Sequence, residues 1–198
     1  RSTGYVSPPH EQLRDVLTIL VVSGLAIWLI LNDLQKALAS LQLQIARYRE
    51  SQAQLTYLSQ HDGLTGLANR GLGRERLERA IALARRQNLR VALLFVDLDH
   101  FKAINDSLGH AAGDDFLKQV AQRLNQGLRQ ADIVARHGGD EFVIGLCDAG
   151  GADDVAMVAA GVLQRMEMPF TLKDTEVSAS CSIGIALYPE DGESFDLL

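Results

Sequence analysis

Residues 16–32 (VLTILVVSGLAIWLILN) contain no charged side chain and are dense in Leu, Ile and Val. At the helical rise this run is about 25 Å long. Leu13 and Leu34 extend it towards the ~30 Å hydrocarbon core of a bilayer. Two soluble alternatives compete with a membrane span: the buried core helix of a globular domain, and a cleaved signal peptide. The flanking sequence does not alternate in a way that could wrap a core helix, and the polar stretch Ser7-Pro8-Pro9 precedes the run. Residues 13–34 are therefore expected to form a transmembrane helix, with Arg14, Asp15 and Asp33 at its wet ends. Residues 1–12 are expected to be the tail of a preceding, extracytoplasmic segment. Lys36, Arg47 and Arg49 follow the span, against Arg1 and Arg14 before it, which leans towards a cytoplasmic C-terminal side.

Beyond the span, Leu34, Leu38, Leu41, Ile45, Tyr48, Gln52 and Leu55 recur in steps of three and four. A seam this narrow predicts a two-stranded coiled coil over 35–58, with Gln52 as its one polar member. An amphipathic helix lying on its own domain is the bland alternative. Either way, one helix connects the membrane to the C-terminal two thirds of the chain.

From about Ser59 the pattern is that of a compact α/β domain. Helices are predicted over 72–87, 114–128 and 152–166, the second from Phe116, Val120, Leu124 and Leu128 at i, i+4 spacing. Strands are predicted over 90–97 (RVALLFVD) and 177–188, with a short one near 170–172 and a hairpin over 131–146 turning at Gly138-Gly139. The order β-α-β-β-α-β predicts an α+β fold, ferredoxin-like, with a mostly antiparallel sheet and helices on one side. Cys147 and Cys181 sit in apolar strands without metal-ligand spacing and read as buried reduced thiols. The net charge of −6 gives a polyanion no general attraction, so nucleic acid is not an expected partner.

The chemistry concentrates where the first strand ends and the hairpin turns. Asp97-Leu98-Asp99 closes an apolar strand, so its two carboxylates are expected on one side. Gly138-Gly139 supplies a turn with positive φ and no Cβ atoms, and Asp140-Glu141 adds carboxylates at its tip. Acidic groups clustered at strand ends need compensation, and a divalent cation such as Mg²⁺ or Mn²⁺ provides it. Metal-bridged carboxylates of this kind suit phosphoryl transfer. Alone, a GG-D-E hairpin is only a turn.

Three ordered blocks change that reading. His61-Asp62-Gly63-Leu64-Thr65-Gly66-Leu67-Ala68-Asn69-Arg70 resembles the opening signature of the GGDEF family. Asp97-Leu98-Asp99-His100-Phe101-Lys102, with Asn105-Asp106, Gly109-His110 and Gly113-Asp114, is similar to its second block. Arg136-His137-Gly138-Gly139-Asp140-Glu141-Phe142 is similar to the block that names it. The resemblance covers residues 59–198. It implies a palm-like fold and a diguanylate cyclase, condensing two GTP into cyclic di-GMP and two pyrophosphates; that mechanism needs a homodimer, and the span over 13–34 would set it at a bacterial inner membrane with the catalytic domain in the cytoplasm.

Carried over by position, the resemblance makes Asp97, Glu141 and the Leu98 carbonyl metal ligands. Asp140 completes the cluster and helps activate the attacking 3′-hydroxyl. Gly138 and Gly139 make room for nucleotide, Asn105 and Asp114 read guanine, and Lys102 reaches phosphate, with His100 and Phe101 alongside. On residues alone, helix capping explains Asn105 and Asp114 better than guanine recognition does, and Lys102 reads as a solvated lysine. Arg129 and Asp132 resemble the family's RxxD site, where product cyclic di-GMP inhibits; the alternative is a surface ion pair of little energetic weight. His61, His110 and His137 have no metal-ligand spacing with any Cys and read as structural, and His10 and His100 form no such constellation either. The family's usual last helix is not matched before Leu198, and the chain is expected to be part of something longer. The rival readings are a non-catalytic GGDEF domain sensing GTP or cyclic di-GMP beside a downstream phosphodiesterase, and a cyclase making a monomeric cyclic nucleotide.

Overall fold

The computed structural model describes residues 9–198, with side chains described from Leu13 onward. Most of the expected preceding segment, residues 1–8, lies outside the described residues. The chain divides into two units that meet between Leu55 and Thr56.

The first unit is carried by α1 (Pro9–Gln60), one uninterrupted helix of 52 residues, continuous as expected. Among the described residues it is the one helix long and apolar enough to cross a membrane. Its Leu17, Trp28, Leu38, Leu41 and Ile45 side chains are all exposed.

In the second unit, α2 (Arg70–Gln87) is capped by Asn69, whose side chain accepts from Leu72 N. Then come β1 (Arg90–Leu98), α3 (Phe101–Leu108), α4 (His110–Asn125), β2 (Ile133–Gly138), β3 (Glu141–Ala149), α5 (Ala152–Glu167), β4 (Phe170–Leu172), β5 (Thr175–Val177) and β6 (Cys181–Tyr188). The main sheet has the order β2-β3-β1-β6, antiparallel throughout, and β4-β5 forms a separate small sheet. With its helices this is the mixed α/β arrangement that the βαββαβ pattern predicts. The long apolar run of β1 comes from its central place, because a strand paired on both edges and covered on both faces alternates little.

Helices cover both faces of the sheet, not one. Ala92, Leu94, Val96 and Leu98 share a core with Phe116, Val120 and Leu124 of α4 and Val155, Ala159 and Val162 of α5. Val91, Leu93, Ile133 and Val143 pack against Leu77, Ile81 and Ala84 of α2. Gly145 makes room on that second face: a Cβ there would stand 2.4 Å from Leu77 Cδ2.

Three local expectations change. The helix predicted from Asp114 begins at His110 and ends at Asn125, because Gly109, at φ 84°, separates it from α3. Asp114 therefore lies inside α4 and caps nothing. The strand predicted over 177–188 is broken, with β5 ending at Val177 and β6 starting at Cys181. The hairpin turns on Gly139-Asp140 rather than Gly138-Gly139, since Gly138 is already paired with Glu141.

Candidate active site

Antiparallel pairing of β1 with β3 sets Asp97 directly opposite Glu141. Leu98 N donates to the Asp140 carbonyl at 3.3 Å, so the metal-ligand candidates meet on two adjacent strands. The hairpin turn fits the primed type with glycine first, because Gly139 takes φ 52° while Asp140 stays out of the left-handed region. Neither Gly138 nor Gly139 has any atom within 4 Å of where a Cβ would stand, so the backbone is open to an approaching group.

The carboxylates of Asp97, Asp140 and Glu141 have no hydrogen bond or ion pair with another described residue. Burial, then Asp140, Glu141 and Asp99, push the Asp97 carboxyl above the usual range. An acidic cluster with internal repulsion and no basic partner fits a cation. Among the described residues no group of three or more His, Cys, Asp or Glu could hold a metal ion. The arrangement fits Mg²⁺ instead, which takes few protein oxygens and completes its shell with water and phosphate.

Asp99 does not join the cluster. Its oxygens accept from Ser180 Oγ at 2.6 Å and Ser182 Oγ at 2.9 Å. Those hydroxyls hold its carboxyl below the usual range.

Asn105, on α3, lies against α4: a Cβ on Gly113 would stand 1.9 Å from Asn105 Oδ1. This brings the amide next to the residue preceding Asp114, whose side chain is exposed. Phe101 stacks on Phe116 at 6.1 Å, fixing the start of α3, and Lys102 and His100 are exposed.

Arg129 and Asp132 do not form the surface ion pair. Asp132 accepts from the backbone N–H groups of Arg129, at 2.8 Å, and Cys147, at 3.2 Å. Its carboxylate thus builds the turn before β2 and leaves the exposed Arg129 guanidinium available. Among the histidines, His61 stacks on Tyr57 at 4.0 Å and His137 meets Phe95 edge-on at 5.3 Å. The side chain of His10 is not among those described. Both cysteines are free, and burial, with Asp99 beside it, pushes the Cys181 thiol up to about 11.

One functional pairing was not foreseen. Arg136 Nη1 donates to Asp62 Oδ1 at 3.0 Å and Oδ2 at 3.1 Å, while Nε and Nη2 donate to the Gly139 carbonyl at 3.1 and 2.7 Å. A single guanidinium thereby ties the β2–β3 hairpin to the loop after α1. Burial pushes the Asp62 carboxyl up, but the Thr65 hydroxyl and amide, with Arg136, outweigh it and hold it below the usual range. Both residues stand in the motif blocks; the only signal for pairing was their opposite charge.

The antiparallel palm, the acidic strand end and the glycine turn define a class, and the chain belongs to the GGDEF diguanylate cyclase family. Residues 59–198 match the family described as diguanylate cyclase, GGDEF domain. The chain is similar to diguanylate cyclase TpbB of Pseudomonas aeruginosa, 42% identical over 164 residues, which cover 82% of this chain and 38% of that protein. It is also similar to the bifunctional diguanylate cyclase/cyclic di-GMP phosphodiesterase MucR of the same organism, 43% identical over 92% of this chain and 27% of that protein. The chain thus spans well under half the length of these relatives. Among solved structures, the TpbB GGDEF domain superposes with TM-score 0.68 at 44% identity, covering 70% of this chain and 81% of that one. The coiled coil and GGDEF domain of DgcB from Caulobacter crescentus, in complex with c-di-GMP, gives TM-score 0.73 at 28% identity, covering 81% and 86%.

Proposed function

We propose that this chain condenses two GTP molecules into cyclic di-GMP, releasing two pyrophosphates, as one half of a homodimer tethered to the cytoplasmic face of a bacterial inner membrane. The observation that carries the reading is the cross-strand pair Asp97–Glu141 beside an open glycine turn, with three carboxylates lacking any basic partner. Asp97, Glu141 and the Leu98 carbonyl would hold Mg²⁺ or Mn²⁺. Bound there, the cation neutralises charge on the triphosphate.

Asp140 accepts the proton of the attacking 3′-hydroxyl, and Gly138 and Gly139 let the nucleotide lie against the backbone. Asn105 and Asp114 recognise guanine, since a carboxylate accepts from both N1–H and the exocyclic amine. That edge of adenine offers no such pair of donors, so ATP is disfavoured by about 1–3 kcal/mol, the range of one bidentate base contact. Lys102 acts on phosphate as a point charge, with His100 and Phe101 framing the turn. Arg129 binds product guanine and phosphate through its planar fork, with Asp132 shaping the turn that presents it.

Each domain holds one GTP, so two must face each other; alignment of this kind can contribute ~7–11 kcal/mol. The heptad seam over 34–55 supplies the pairing, and a signal from the membrane side acts by changing helix register. The test is GTP turnover with Mg²⁺ by the wild type and Glu141→Ala, with product identified chromatographically. Cyclic di-GMP from the wild type and a loss of at least about 100-fold in the variant are expected; equal turnover overturns the assignment. A second reading, a GTP- or cyclic di-GMP-sensing domain coupled to a phosphodiesterase, draws on the bifunctional relative MucR. It requires nucleotide binding without turnover.

A further inference from the structure

We propose that Asp99 is a positioning residue and not a metal ligand: latched by the hydroxyls of Ser180 and Ser182, it holds the β1–α3 turn that delivers the Leu98 main chain to the cation and α3 to the guanine. The inference rests on the cation-site reading above. β1 ends at Leu98 and α3 begins at Phe101, so two residues make the whole turn. His100, one of them, takes φ 60° and has no side-chain capping bond. A non-glycine residue keeps such a backbone only where its surroundings over-determine it.

Asp99 supplies the determination. Its N–H donates to the Ser180 carbonyl at 3.0 Å, and its two oxygens take one serine hydroxyl each, at 2.6 and 2.9 Å. Packing holds α3 through Phe101 on Phe116, but Asp99 and His100 themselves are not buried. The turn borders a cavity of about 590 Å³, lined among others by Asp99, His100, Ala103, Ile104 and Ser180.

Ser182 stands directly opposite Asp97 in the β1–β6 register, so the latch is built beside the acidic cluster. Without the two hydroxyls, a fourth carboxylate would be free to turn towards the cation. With them, the site keeps few protein oxygens, the condition that suits Mg²⁺ rather than the larger, ligand-rich shell of Ca²⁺.

Three variants of the full chain separate latch from ligand: Asp99→Asn, Asp99→Ala and the double change Ser180→Ala with Ser182→Ala. Asparagine can still accept from one serine and donate to the other, but carries no charge for a metal. The readouts are Mn²⁺ affinity by electron paramagnetic resonance, calorimetric affinity for Mn²⁺ with a non-hydrolysable GTP analogue, and hydrogen exchange over 99–108. Asp99→Asn is expected to bind like the wild type. Asp99→Ala and the double serine variant are expected to bind the nucleotide about tenfold or more weakly, with faster exchange in α3. Loss of Mn²⁺ binding in Asp99→Asn as complete as in Asp99→Ala overturns the proposal, because a ligand would behave so. Wild-type affinity and exchange in both disrupted variants also overturn it. Failure of the wild type to bind Mn²⁺ and nucleotide strikes the cation-site reading itself, a result distinct from either.

Discussion

Replacing Arg136 with alanine removes four hydrogen bonds at once, two to the Asp62 carboxylate and two to the Gly139 carbonyl. The two charged side chains are 13% and 24% exposed, which sets the magnitude. A fully buried pair that loses one partner costs about 3–5 kcal/mol, and an exposed pair contributes about 0–1. This one lies between, nearer the buried limit, so a loss of about 2–3 kcal/mol is expected. For a domain of this size that lowers Tm by about 6–12 °C.

Circular dichroism during thermal unfolding measures the shift. A double-mutant cycle with Asp62→Ala isolates the pair, and a coupling of about 1–2 kcal/mol is expected. Arg136→Lys should recover less than half of the loss, because an ammonium cannot reach the carboxylate and the turn carbonyl through one fork. GTP turnover should fall further than stability alone explains, since the Gly139 carbonyl belongs to the turn of the proposed active site. A coupling below about 0.5 kcal/mol would refute the clamp.

Other outcomes rest on the same geometry. The Asp97 carboxyl is raised, so its charge destabilises the metal-free fold once pH exceeds that raised value. Asp97→Asn should therefore raise Tm in chelator at neutral pH while abolishing the Tm increase on adding Mn²⁺. The Asp62 carboxyl is lowered from 3.8, so its contribution is complete above that pH and is lost as pH falls through the lower folded value; acid unfolding of Asp62→Asn should lack that component. Gly113→Ala would place a methyl against Asn105 Oδ1, costing about 1–3 kcal/mol of stability and weakening binding of a GTP analogue in calorimetry. Charged residues at Leu38 and Ile45 should yield a monomer by sedimentation and abolish cyclic di-GMP synthesis; a fully active monomer contradicts the dimer.

Much of the fold was legible because β1 and α4 carry strong periodic signals, and a central strand covered on both faces reads as an unbroken apolar run. Helix α3 and the first turn of α4 were not, because α3 is only eight residues long and Gly109 follows it at once. The interruption between β5 and β6 escaped for another reason. Residues 177–188 alternate evenly enough that only the pairing of Val177 with Phe170 reveals two strands. At the site, the acidic positions were readable from their residue types. Their partners were not: Arg136 meets Asp62 across 74 residues, and Asp99 meets Ser180 across 81. No local spacing encodes such contacts.

Asn69 has a role at the entry to the domain. Its backbone N–H donates to the Gln60 carbonyl, its amide to the Ser59 carbonyl at 2.7 Å, and its side-chain oxygen accepts from Leu72 N. One residue therefore fastens the last turn of α1 to the first turn of α2. On the α1 side it grips only main-chain oxygens, which every sequence possesses. That grip is indifferent to which side chains stand at positions 59 and 60, whereas the Tyr57–His61 stack beside it is not.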